Sequence, residues 1–180
     1  MKPRLLALLA ALGLATGAAH AGALRMFSYD PADAETRAAA GPMTFEFRQG
    51  LLKPTVLSVR STEADATVDL EPAPVSALGG RGLAALAGPE AADRDLYAVG
   101  SADEGTALIA ALCPGATRGW LAIGRPHYGR DLGVDVLGGP AAGDVKLCRK
   151  LTFNFHGEWK LPNDRKFDAR ITQRARGPRG

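Results

Sequence analysis

Apolar and polar residues alternate with a period of two along much of this chain, and that alternation predicts strands. Met43, Phe45 and Phe47 share one face of residues 43–48, with Thr44, Glu46 and Arg48 on the other. Leu57 and Val59 mark a second strand over 55–61, and a shorter one runs from 66 to 70 before Pro72 and Pro74 interrupt the pattern. Further strands are expected at 96–99, 117–123, 132–137 and 145–155. In the last of these Val145, Leu147, Leu151, Phe153 and Phe155 keep one parity, and Arg149 breaks it.

Helical signals are fewer. Ser101 and Glu104 have the spacing of a capping box, and Asp103 and Glu104 put negative charge at the positive end of a helix dipole. Leu108, Ile109 and Leu112 supply the apolar face, and Pro114-Gly115 ends the element. Gly79, Gly80 and Gly82 weaken any earlier helix, which leaves a short one over 81–87. Residues 22–42 read as an irregular lead-in with one or two helical turns at 33–40, stopped by Gly41-Pro42. Residues 43–163 then form a single α+β domain, a mostly antiparallel sheet with one or two packed helices.

The two ends of the chain have a different character. Lys2 and Arg4 precede ten apolar residues at 5–14, and Ala19-His20-Ala21 has the small-x-small pattern cut by signal peptidase. A bilayer span needs ~20 apolar residues, so residues 1–21 predict a cleaved signal peptide rather than an anchor. The expected product begins at Gly22 and is periplasmic or secreted. The short leader and the Ala-, Gly- and Arg-rich composition suit a bacterium. From Asp164 onward apolar periodicity stops, and residues 164–180 hold six basic and two acidic residues, the pattern of a disordered basic tail.

These boundaries change the meaning of the charge. The 180 residues include 22 basic and 19 acidic ones, a formal net charge of +3 with a pI near 9.1. The leader and the tail carry that surplus, and residues 22–163 hold 14 basic and 17 acidic groups. The high pI is therefore no argument for a nucleic-acid-binding domain, and the tail lacks interleaved aromatics. What the tail offers is a weak contact with an anionic membrane surface. With 46% hydrophobic residues the chain has enough apolar material for a packed core.

Candidate chemistry is sparse. Cys113 and Cys148 are the two cysteines, and an even count in an oxidising compartment predicts one disulfide. Closing that loop is worth about 3 to 4 kcal/mol in the chain-entropy model. Gly79-Gly80-Arg81-Gly82 lacks the leading strand and the lysine of a phosphate loop. The sequence contains no HExxH, CxxC, GxSxG or SxxK pattern, so no catalytic residue, metal ligand or cofactor is assigned.

Binding-capable groups gather in two places. The turn at 124–130 carries Arg125, His127, Tyr128 and Arg130, with Arg118 near it in sequence. Asn154, His156 and Glu158 would line one strand face beside Trp159. Guanidinium forks and a tyrosine suit a small anionic ligand or an envelope protein partner. The leading expectation is an exported, non-catalytic binding or interaction protein of the bacterial envelope. The alternative is a periplasmic hydrolase, metal-dependent in one version, built on His127, His156 and Glu158.

Overall fold

Eight strands follow one another around a closed antiparallel barrel, each bonded to its sequence neighbours and the last to the first. The computed structural model describes residues 22–61, 66–140 and 144–159, so the expected leader and basic tail lie outside the described residues. The strands are β1 (Leu24–Pro31), β2 (Met43–Arg48), β3 (Thr55–Ser61), β4 (Ala66–Pro72), β5 (Asp95–Val99), β6 (Arg118–Ile123), β7 (Leu132–Gly139) and β8 (Lys146–Trp159). Among the described residues three α-helices join them: α1 (Ala34–Ala40), α2 (Leu83–Ala87) and α3 (Asp103–Leu112).

This architecture corrects the expected α+β domain. The antiparallel strands were legible, but the sheet closes on itself rather than lying open beneath helices. Closure depends on β1, which falls in the stretch expected to be an irregular lead-in. Leu24–Pro31 pairs with β2 on one side and β8 on the other, and so removes both sheet edges. Pro31 is tolerated because it occupies the last position of the strand.

An eight-stranded barrel has an interior about wide enough for side chains to fill, and aromatic rings fill this one. Phe27 packs edge-on against Phe47 at 4.7 Å and against Phe155 at 5.3 Å, measured between ring centroids. Tyr29 contacts Phe45 and Phe155 at 5.8 Å each, and Phe45 reaches Phe153 at 6.4 Å. Val56 N–H, beside a bulge between β2 and β3, donates to the hydroxyl of Tyr97 on β5 at 3.2 Å. Backbone polarity freed by the bulge is thus satisfied inside the barrel.

The link between β4 and β5 crosses the outside of the wall. Leu78, Leu83, Ala87 and Ala91 cover Leu96, Trp120, Ala122 and Leu137, which buries much of β6 and β7 on both faces. Beneath this link Arg94 forms an ion pair with Asp135, whose side chain has no exposed surface.

The connections divide the barrel into two unlike ends. α1, α3, the finishes of β3 and β7 and the starts of β4 and β8 mark a helical end. The links at 49–54 and 124–131, together with the start of β1 and the finish of β8, mark a loop end.

α3 is seated in the mouth of the helical end by two glycines that face each other across β6 and β7. A Cβ on Gly119 would come within 2.0 Å of Ile109 Cδ1, and one on Gly138 within 2.4 Å of Cys113 Sγ. Removing both side chains lets the helix and its disulfide sit against the wall. The expected capping box is absent: Ala102 is the N-cap and no side chain bonds there. The C-terminal end is held more firmly. Cys113 bonds to Cys148 with Cα atoms 5.2 Å apart, as the cysteine count predicted. Arg149 Nε donates to Leu112 O at 3.2 Å, answering an orphan carbonyl with a cation at the negative end of the dipole.

Candidate functional site

Two register shifts in β8 decide where its polar side chains point. The first lies near Cys148, where Val136 pairs with Arg149 and Leu137 with Leu147. Leu147 accordingly joins the outer apolar cluster, while Arg149 faces α3. The second leaves His156 unpaired, since Tyr29 pairs with Phe155 and Ser28 with Gly157. A one-residue shift moves every following side chain to the other face.

Asn154, His156 and Glu158 therefore do not share a face. His156 points outward and its Nδ1 lies 2.7 Å from Asp30 Oδ2. Glu158 pairs across from Phe27 and turns to the barrel mouth, where Arg25 donates to it twice, at 2.7 and 3.0 Å. The Arg25 guanidinium also covers the Phe27 ring at 4.9 Å. Together they form a bidentate lid over the aromatic interior. Asn154 is exposed opposite Asp30 on β1.

The predicted arginine cluster is also divided. Arg118 begins β6 at the helical end, stacks over Trp120 at 5.5 Å and donates to Pro140 O at 3.4 Å. Arg125, His127, Tyr128 and Arg130 lie at the loop end, at the far side of that strand. His127 Nδ1 bonds to Tyr128 O at 3.0 Å, and the Tyr128 ring rests on Phe155 at 5.2 Å. Among the described residues no three His, Cys, Asp or Glu side chains converge on a metal-holding position.

What the sequence did not single out is a groove at the helical end. Ala39 and Ala40 of α1, Met43, Val59 and Val68 of the barrel rim, and Ala107, Leu108, Ala111 and Leu112 of α3 enclose a cavity of about 340 Å³. Its polar members are Glu104 and Ser61. That volume is roughly twice the ~150 Å³ of a cavity that admits benzene, and it lies within the range of small-molecule sites.

Local chemistry explains why the groove stays open. α1 is pinned to β8 by its N-cap: Asp33 accepts from Thr36 N at 2.7 Å and from the Thr152 hydroxyl, and Thr152 N donates to Thr36 Oγ1 at 3.1 Å. These donors, the Thr152 hydroxyl first, hold the Asp33 carboxyl below its usual pKa. α3 is pinned by the disulfide and by Arg149. Both helices are fixed, α1 lines the gap with Ala39 and Ala40, and α3 adds Ala107 and Ala111 beside Leu108 and Leu112, side chains that leave it unfilled. A sequence signal existed in the repeated alanines of α3, spaced one turn apart on the flank of its apolar stripe.

The chain matches no family model, no curated protein and no solved structure.

Proposed function

We propose that the protein is an exported, non-catalytic binding protein of the bacterial envelope that holds a small apolar ligand in the groove between α1 and α3. The groove itself carries this reading: a preformed apolar cleft of about 340 Å³, walled by two anchored helices, with one carboxylate at its rim. Glu104 favours a ligand whose polar end is neutral or cationic over one that ends in a carboxylate. Export is supported by the leader pattern in residues 1–21 and by a disulfide that suits an oxidising compartment.

The hydrolase alternative lacks geometric support. Glu158 is engaged by Arg25 at the barrel mouth, and His156 faces outward on Asp30. The binding reading is tested with N-phenyl-1-naphthylamine, a neutral apolar dye whose fluorescence rises in a dry site. The wild-type chain is expected to bind it saturably. Ala107→Trp combined with Ala111→Trp fills the groove from exposed helix positions and is expected to weaken binding roughly tenfold or more, the equivalent of about 1.4 kcal/mol. Unchanged affinity in that variant would rule the groove out.

A further inference from the structure

The loop end presents an apolar surface of its own. Leu51 and Leu52, at the tip of the β2–β3 link, are fully exposed at 103% and 94%. Tyr128 (61%) and Trp159 (62%) stand at the same end, and so does Leu24, close to the base of the tip through the Gln49 N to Ala23 O bond. Two adjacent leucines in a turn between Gly50 and Lys53-Pro54 gain nothing for the fold, because they touch no core residue. Exposed apolar groups concentrated at one end of a molecule mark an interaction face.

Cations frame this face. Arg48, Arg125 and Arg130 are exposed there and make no ion pair among the described residues. Lys53 adds a fourth, bonded to Asp95 at 2.6 Å. Most acidic groups nearby are engaged: Glu158 by Arg25, Asp95 by Lys53, Glu90 by Lys150, and Asp131 as acceptor for Phe155 N at 3.2 Å, while Asp93 shares a cleft with Arg125. β8 finishes at this end with Trp159, so the chain that continues to the six basic residues of 164–180 leaves from it.

From this juxtaposition we infer that the loop end docks on an anionic lipid surface. The Leu51-Leu52 tip enters the acyl boundary, Tyr128 and Trp159 lie at headgroup level, and the arginines meet lipid phosphates. Stable attachment to a bilayer surface takes two signals, an apolar insertion and a basic patch, and this end carries both. A second copy of the chain fits less well, because face-to-face pairing sets Arg48, Arg125 and Arg130 against their own counterparts. The groove then lies at the opposite end of the barrel, turned away from the membrane.

The test is flotation of the full chain with vesicles of phosphatidylcholine alone and of phosphatidylcholine mixed with phosphatidylglycerol. Binding is expected to the anionic vesicles and to weaken with added salt. L51D/L52D is expected to lower affinity roughly tenfold or more, since two leucines lose their transfer into the apolar phase. Both positions are fully exposed, so the variant keeps the fold, as circular dichroism will verify. In a separate L51W variant the added fluorescence is expected to shift to the blue and to be quenched by brominated acyl chains. An L51D/L52D chain that binds like wild type, or an L51W signal that is not quenched, overturns the proposal. A chain that ignores both vesicles but forms dimers lost in L51D/L52D also overturns it, and assigns the face to self-association.

Discussion

Asp135 is fully buried in the wall of the barrel, and burial pushes its carboxyl above the usual carboxylate pKa while Arg94 pulls the other way. Its Oδ1 has no hydrogen-bond partner among the described residues. The ion pair therefore offsets a desolvation cost more than it adds stability. Removing one partner is the damaging change: Arg94→Ala should cost roughly 3 kcal/mol in urea unfolding, because it strands a buried charge. The folded state holds the Asp135 proton more tightly than the unfolded chain, so this residue contributes stability at acid pH and withdraws it as pH rises through the raised pKa. The Arg94→Ala deficit should accordingly shrink as pH falls from neutral into the carboxylate range. A deficit constant with pH would mean that the charge of Asp135 is not its cause. The double change R94M/D135L should recover most of the loss.

At the scale of elements, α1 depends on its contact with β8. Asp33 has the opposite sign from Asp135: its carboxyl is held below the usual range by the Thr152 hydroxyl and by Thr36. The stability it contributes is present above the unfolded carboxylate pKa and is lost as pH falls through the depressed folded value. Asp33→Ala should lower the melting temperature at neutral pH, and the gap to wild type should close on acidification. A gap that persists at the acid end would assign the loss to packing.

β8 shows how far such elements can be read beforehand. Its existence was plain from the apolar parity of Val145 to Phe155, yet its two bulges were not. Leu147 looks like an interior residue but faces the outer apolar cluster, which the β4–β5 link covers. A leucine there carries the same sequence signal whichever face is buried. Arg149, read as the exception, is placed by the first bulge to cap α3. The second bulge, at His156, parts His156 from Glu158 and dissolves the face on which they were paired.

For the whole molecule, local pattern and global closure are separate facts. Seven strands could be anticipated from alternation, whereas the eighth carries Arg25 at an inward position and ends on Pro31. Only its pairing with β8, more than a hundred residues away, makes Arg25 intelligible, because Glu158 waits there. The groove was hidden for a related reason: it is made of small residues, and shape between elements leaves no periodic trace. The disulfide was legible from the even cysteine count and the expected oxidising compartment, and it fastens the finish of α3 to the start of β8. Replacing both cysteines with alanine should cost about 3 kcal/mol in chemical unfolding without changing the far-ultraviolet spectrum. A loss of barrel signal would mean that the crosslink specifies the fold as well as stabilising it.

The claim on which the function rests is that the helical end of a closed barrel is a preformed apolar site. The most direct measurement is an amide chemical-shift titration of the labelled protein with N-phenyl-1-naphthylamine. Saturable shifts are expected, confined to Ala39 to Met43, Val59 to Ser61, Val68 and Glu104 to Leu112, with the 49–54 and 124–131 links unmoved. Shifts centred on His127 and His156 instead, or none at saturating dye, would contradict the claim.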